Sequence, residues 1–516
     1  MYFSKLINNY HLSGFNKKFF QKNINLKKKK ILVEFYEFTP TTIPFSYFAN
    51  ILAKKYDAEI NAYRINFYTF NDKIKFFVKQ FIFNYRNLYK SFGSKKIILP
   101  EVDKVSEKEK KYILNLIKKI KTKNDLLNLK FKGIPIGDYL YDEYLRSFNK
   151  ITINLETDHF KNYLLHSLKL TNFWFNKLDP KYIKSVIISH TAYLIGLIGT
   201  IAIYKKIPTY RVSLSSCFYL TKKNPKQFSN FHEYPSIIKR IDKKVKNPQI
   251  KQAKKKIIKY FLKKDLKILK KPKNNNNNNL NVLVSAHCFT DAVHVHGIKN
   301  CFSDYYEWID YIGKTSLKSR HNWLIKLHPS EYDNNLKNMN YFLKKYPHLK
   351  LVKKNTKNLK LINNIDVVLT VYGTVGREFP LFGIPVINAS TCGPHSGYKF
   401  NHHFDNIHKY NKAITNLQKY TKNFKIDKSK VLEFYYLRYC LDFSFLFNSK
   451  YINEINENLR IKNLHPHSVS EIWLKDIKSA VHLNIFDQVK EFINSKQYRF
   501  TANNNDEYSS FIKLNE

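Results

Sequence analysis

The stretch DVVLTVYGTVGREFPLFGIPVINAS, residues 366–390, decides how the rest of the chain is read. IDVVLTV is an apolar run without polar alternation, the pattern of a strand buried on both faces of a parallel sheet. GTVGRE is the turn into a short helix, REFPLFG, which Gly383 stops, and IPVINAS is the next strand. Pro380 is awkward in that helix because it removes a backbone hydrogen bond, so it predicts a late start or a distorted first turn. The chain has 13 glycines in 516 residues, and Gly373, Gly376, Gly383, Gly393 and Gly397 cluster here. Gly373 and Gly376 permit positive φ and close approach of a ligand to the backbone.

The same alternation extends upstream. LNVLVSA (280–286) is a strand, YYEWIDYIGKTSLKS (305–319) a helix, and HNWLIKLHP (321–329) a strand ending in His-Pro. A helix over 334–346 precedes the strand LKLVK (349–353). Strand–helix–strand order implies a parallel sheet. Before this block lies QIKQAKKKIIKYFLKKDLKILKKPKNNNNNN (249–279), a basic helix running into Pro272 and six asparagines. An asparagine homopolymer cannot pack a core, so it reads as a linker. The N-terminal half repeats the pattern: strands at about 31–36 and 58–65 flank the helix PFSYFANILAKKY. KSVIISH (184–190) and IPTYRVS (207–213) flank the apolar helix 192–204. The organisation is α/β: a basic N-terminal tail (1–29), a first domain (30–265), an Asn-rich linker (266–279) and a second domain (280–430). A helical extension with a polar tail (431–516) follows.

The formal charge is +49. Such a balance ordinarily points to nucleic acid or an anionic membrane. Here Lys, Asn, Ile, Phe and Tyr, whose codons are rich in A and T, are abundant, whereas Gly and Pro are scarce. Codon bias accounts for much of the lysine, so nucleic acid is not expected as a partner. Anionic substrates and the inner membrane surface fit the charge. Cys217, Cys288, Cys301, Cys392 and Cys440 are odd in number, scattered and lack C-x-x-C. They predict a reducing compartment rather than a disulfide framework or a zinc ribbon. No signal peptide is legible at the N-terminus, and the longest apolar run, AYLIGLIGTIAIY, has 13 residues against about 20 for a membrane span. The expected localisation is cytoplasmic, soluble or peripheral on the inner membrane face.

Ligands of open α/β sheets bind beyond the carboxyl ends of the strands. At that edge the turn offers the amides of Thr374, Val375 and Gly376, suited to a phosphate at a helix start. Arg377 adds a cation and Glu378 an acceptor for ribose hydroxyls. Lys326 and His328 of KLHP fall on the same edge. AHCFTDAVHVHG (286–297) brings His287, Asp291, His294 and His296 to it. Asp291, His294 and His296 permit a metal set, but loop histidines at this density also serve as hydrogen-bonding groups, which is the role expected of them. CGPHSGYKFNHHF (392–404) is read as a further loop of the same edge.

With these residues in view, the C-terminal half resembles bacterial surface and capsular polysaccharide biosynthesis proteins, which are GT-B glycosyltransferases. The likeness rests on HCFTDAVHVHG, YEWIDYIGKTS, WLIKLHPSE and LTVYGTVGREFPLFGIPVINAS. FKGIPIGDYLYDEYLR (131–146) and SHTAYLIGLIGTIAIYKKIPTYRV (189–212) look similar to the family's acceptor domain. It covers roughly residues 30–420 and is strongest over 280–400. His-Pro and Gly-Thr motifs also occur in Kdo, polysialyl and glycerophosphate transferases, where they contact the donor nucleotide. The resemblance implies two Rossmann-like domains facing across a cleft, with His328 and Gly373–Thr374 on the donor. It implies a nucleotide-sugar donor, a glycan or lipid-linked glycan acceptor and no further cofactor.

No D-x-D occurs in the chain, so the metal motif common in GT-A transferases is missing. The expected reaction is metal-independent, with amides and cations stabilising the leaving phosphate. Candidates for the base that deprotonates the acceptor are Glu37, Asp138 and His190. A glycerophosphotransferase, a nucleotide-sugar epimerase on the same fold, and a non-enzymatic basic module for anionic membrane or nucleic acid are the alternatives.

Overall fold

The computed structural model describes residues 2–20, 27–213, 216–226, 234–240, 248, 279–422, 424–437, 473–474, 477, 479–495 and 497–500. The basic stretch 249–273, the expected linker except its last residue, and the polar tail lie outside them.

Apolar runs become two six-stranded sheets. The first contains β1 (Lys30–Glu34), β2 (Glu59–Tyr63), β3 (Ser94–Ile98), β4 (Ile183–Ile188), β5 (Thr209–Val212) and β6 (Cys217–Leu220), in the order β3-β2-β1-β4-β5-β6. The second contains β7 (Asn281–Ser285), β8 (Asn322–Lys326), β9 (Leu349–Leu351), β10 (Val367–Thr370), β11 (Val386–Asn388) and β12 (His402–His403), in the order β9-β8-β7-β10-β11-β12. All pairings are parallel except β5 with β6. These are two Rossmann-like α/β lobes. In each, the strand order reverses beside the first strand: between β1 and β4, and between β7 and β10. Loops leaving such neighbours diverge and open a crevice.

The central strands are buried along their length; VVLT of β10 is fully enclosed. Full enclosure removes the polar alternation of a one-sided strand and explains the continuous apolar runs. One apolar core runs from Leu32 and Val186 in the first lobe to Val284, Ile325 and Leu369 in the second. Among the described residues, no helix is long and apolar enough to cross a membrane.

Four elements depart from the sequence reading. The expected basic tail holds an 18-residue helix, α1 (Tyr2–Phe19). It has no apolar period because asparagines help to anchor it: Asn9 donates to the Phe83 carbonyl (2.6 Å) and accepts from Thr39 (2.7 Å), and Asn16 donates to Ser91 (3.0 Å). β3 carries two exposed lysines, β6 runs antiparallel to β5, and β12, inside the expected Gly- and His-rich loop, has only two residues. The expected C-terminal helical region is present in part, as helices Lys428–Tyr436 and Ser479–Ser495. The second returns to the first lobe, where His482 meets the Tyr47 hydroxyl at 2.9 Å.

Two buried carboxylates join the lobes. Asp142, on the first-lobe helix Gly137–Ser147, accepts the N–H groups of Val293 (3.2 Å) and His294 (2.9 Å) and meets His294 Nδ1 at 2.8 Å. Asp304, in the second lobe, accepts from Tyr141 (2.5 Å), Thr152 (2.6 Å) and Lys123 (3.1 Å). A buried donor left without an acceptor costs about 1–3 kcal/mol. Asp142→Ala is therefore expected to lower unfolding stability by about 2–4 kcal/mol, since it strands two buried amides. Denaturant titration of the full chain checks this, and a loss under about 0.5 kcal/mol would mean that the joint carries no load.

Candidate functional site

The second-lobe rim is built where β7, β8 and β10 end. His287 follows β7, and its Nε2 lies 3.1 Å from Thr370 Oγ1, at the end of β10. The Tyr372 N–H donates to the same nitrogen at 3.4 Å, which leaves the ring proton on Nδ1. The imidazole stacks on Tyr305 with centroids 4.5 Å apart. Burial, reinforced by His328 and His296, pulls its pKa down to about 3, so it is a neutral hydrogen-bonding group. His328 stands after β8; burial lowers its pKa too, Asp291 opposing and Lys326 assisting. Lys326 donates to Asn358 Oδ1 (2.5 Å), and Asn358 donates to Glu378 Oε2 (2.6 Å). His287 thus lies against the Gly373 turn and within electrostatic reach of His328, so the 287, 326–328 and 370–378 segments share one rim.

The turn itself differs from expectation. Neither Gly373 nor Gly376 has a positive φ. They are needed because a Cβ would collide: at 373 with Thr370 Oγ1 (2.8 Å), at 376 with His395 Nε2. The helix is a single turn, Val375–Glu378, passing at Phe379 into a 3₁₀ turn that contains Pro380 and ends at Gly383, φ 82°. That change of helix type removes the conflict Pro380 posed. One turn generates little macrodipole, so what the turn offers an anion is its individual amides. Those of Thr374 and Val375 have no acceptor among the described residues.

Arg377 is not aimed at the turn as expected; its guanidinium lies 5.8 Å over the Phe434 ring. Glu378 is occupied in orienting Lys326 through Asn358. His294 is buried against Asp142, and Asp291 accepts from the Tyr193 hydroxyl (2.9 Å) of the first lobe. Among the described residues, no three His, Cys, Asp or Glu side chains gather to hold a metal ion.

The first-lobe rim encloses a cavity of about 870 Å³ where β1, β2, β4 and β5 end. Glu34, Glu37, Arg64, Arg146, His190 and Arg211 line it. Of the three expected bases, Glu37 and His190 are here. Glu37 is held by Gln80 (2.9 Å) and Lys79 (3.5 Å). His190 is pulled down to about 3 by burial and by Arg211 and Arg146, which makes it a weak base. Asp138 is elsewhere: it is buried, ion-paired with Lys226 and absent from the cavity wall. Lys226 also donates to the His294 carbonyl (3.0 Å), so Asp138 belongs to the joint between lobes.

Glu34 was missed by sequence reasoning. It ends β1, is buried, and accepts the Ser189 N–H at 2.6 Å across the β1/β4 reversal. Burial raises its pKa to about 7, with the Ser189 bond and Arg64 opposing. A single acid closing the apolar run ILVEF was the available signal. Tyr193, beside the cavity, and Asp291, beside the second rim, bring the two rims together.

No family model and no curated protein matches the chain. Among solved structures, it is similar to the UDP-GlcNAc 2-epimerase of Neisseria meningitidis bound to UDP-GlcNAc (10% identity, 79% of this chain and 98% of that one, TM-score 0.23). It is also similar to KpsC, the β-Kdo 2,7 transferase of Thermosulfurimonas dismutans (14% identity, 56% and 84%, TM-score 0.27). A third is a glycosyltransferase from Rickettsia africae (11% identity, 90% and 99%, TM-score 0.25). At these scores the likenesses add nothing to what the two sheets already establish.

Glu34 makes stability depend on pH. Its folded pKa, about 7, lies above the reference value of 4.5, so the folded state binds the extra proton between them. Stability contributed by that proton is full below pH 4.5 and lost as pH rises through 7. Glu34→Gln should remove a decline of about 3 kcal/mol across this window, at 1.36 kcal/mol per pKa unit. Unfolding midpoints at stepped pH check it; the same decline in the variant would assign the titration to another group.

Proposed function

We propose that the chain is a glycosyltransferase that moves a sugar from a nucleotide-activated donor to a cell-surface or capsular polysaccharide acceptor. The observation that carries this reading is the meeting of two rims of different chemistry. The second-lobe rim offers amides, neutral imidazoles and Lys326, the equipment for a diphosphate. The first-lobe rim offers a large cavity with a buried carboxylate of raised pKa.

In this mechanism the donor diphosphate lies against the Thr374 and Val375 amides, with His328 and Lys326 beside it. Cleavage of the sugar–phosphate bond leaves negative charge on the phosphate oxygen. Donors already in place stabilise it without reorganising. Glu34 takes the proton of the acceptor hydroxyl as that oxygen attacks the anomeric carbon. A base with a pKa of about 7 balances ionised fraction against basicity near neutral pH. No step calls on a metal ion. The separate cavity of about 870 Å³ favours a two-substrate transfer over an epimerisation, which needs only the donor.

The test is donor turnover by the purified full chain, screened over nucleotide-activated sugars with and without acceptor glycans. His328→Ala should keep the wild-type unfolding midpoint and lose about 10²–10³-fold in donor turnover. Normal turnover by a folded variant would remove His328 from the site. Turnover that needs no acceptor and returns an isomer of the donor would replace the transferase with an epimerase.

A further inference from the structure

Helix Phe70–Phe83, which forms one wall of the first-lobe cavity, is built inside out. It starts at a capping box between Thr69 and Asp72 and stops at Asn84, whose φ is 57°. Its inward stripe is narrow: Asp72, Phe76, Gln80 and Phe83, at helical spacing. Phe76 packs against Phe35 and Phe67, and Gln80 holds Glu37. The outward face carries Phe70, Ile74, Phe77, Val78, Phe81 and Ile82, all exposed, with Phe70 at 76% and Phe81 at 91%. Lys73, Lys75 and Lys79 flank them and are exposed as well. Single exposed apolar side chains are ordinary, but six on one face of one helix are not. The neighbouring α1 adds exposed Leu6, Ile7 and Tyr10, and places the Lys5 ammonium 4.6 Å from the Phe83 ring centroid.

Aromatic and aliphatic side chains interleaved with lysine match the boundary of an anionic bilayer. Rings and alkyl groups bury in the acyl boundary while the ammonium groups stay among the headgroups. Each lysine near such a surface adds electrostatic attraction that salt screens. The same helix lines the cavity through Asp72, Lys75, Phe76 and Lys79. A bilayer under the outward face therefore lies beside the cavity mouth.

We propose that helix Phe70–Phe83 docks the protein on an anionic lipid surface and so presents the first-lobe cavity to an acceptor held in that surface by a lipid. The docking stands on the exposed face and its charge; only the lipid-held acceptor rests on the transferase reading. The two fail separately, because docking is measured without donor.

The experiment is sedimentation of the full chain with vesicles of phosphatidylglycerol and phosphatidylcholine, compared with phosphatidylcholine alone. Binding to the anionic vesicles, weakened by 0.5 M salt, is expected, at about tenfold or more above the neutral ones. Phe77→Ser/Phe81→Ser should lower it at least about tenfold at an unchanged unfolding midpoint. Lys73→Gln should weaken it less and flatten its salt dependence. Equal binding by wild type and the double serine variant overturns the proposal. So does a wild type that ignores vesicles but forms a dimer that the serine variant turns into a monomer, which would make the face a protein interface.

Discussion

The Asp142 carboxylate fixes the relation between the lobes. It lies on a first-lobe helix and accepts two backbone amides and an imidazole nitrogen from residues 293–294 of the second lobe. Those residues continue the loop that leaves β7, the strand at the second lobe's reversal of order. The bonds therefore set not only how far apart the sheets stand but which edges confront each other. With that loop held, Asp291 reaches Tyr193, and the crevice of each sheet opens toward the other. Lys226 and Asp304 reinforce the joint from either side, and apolar packing runs continuously through it.

The joint also explains how the polar groups divide. Asp142 faces His294, Asp138 is paired with Lys226 and Asp304 with Lys123, Tyr141 and Thr152, and all four are withdrawn from solvent. Such groups cannot also serve a substrate without leaving a partner stranded. What remains at the rims is different in kind: the amides of Thr374 and Val375, the imidazoles of His287 and His328, and Glu34 with the guanidinium groups of Arg64 and Arg146. Burial moves the two pKa values in opposite directions and favours the neutral form of each. It keeps His287 neutral and also lifts Glu34 toward neutrality. A rim of free amides and neutral imidazoles thus meets a cavity holding a carboxylate that changes protonation near pH 7.

The fold was legible where strands are covered on both faces, because enclosure leaves a continuous apolar run. IDVVLTV, LNVLVSA and KSVIISH became β10, β7 and β4 with ends shifted by a residue or two. It was illegible where polar groups do the packing. α1 sits on buried asparagines, and its sequence has no period to find. At the candidate site, sequence position identified the strand ends but not the side-chain directions. His287, Lys326, His328 and the Gly373 turn came together because they follow neighbouring strands. Arg377 did not join them, because Phe434 claims it, and Asp138 did not join Glu37 and His190 at the first-lobe cavity, because Lys226 claims it; neither partner is near in sequence. Glu34 escaped because a strand-end carboxylate gains its meaning from Ser189, 155 positions away. Of the two reasons for flagging the glycines, positive φ does not hold at 373 and 376, where crowding instead excludes a Cβ.

In the proposed mechanism, chain segments far apart in sequence grip one diphosphate on the second lobe, facing an otherwise independent cavity on the first. Amide hydrogen exchange of the full chain, with and without a nucleoside diphosphate, tests it directly. Slowed exchange is expected in 286–297, 326–330 and 372–378 together, with 34–37 and 189–193 unchanged. Protection centred on the first-lobe segments, or confined to one of the three second-lobe segments, would contradict it.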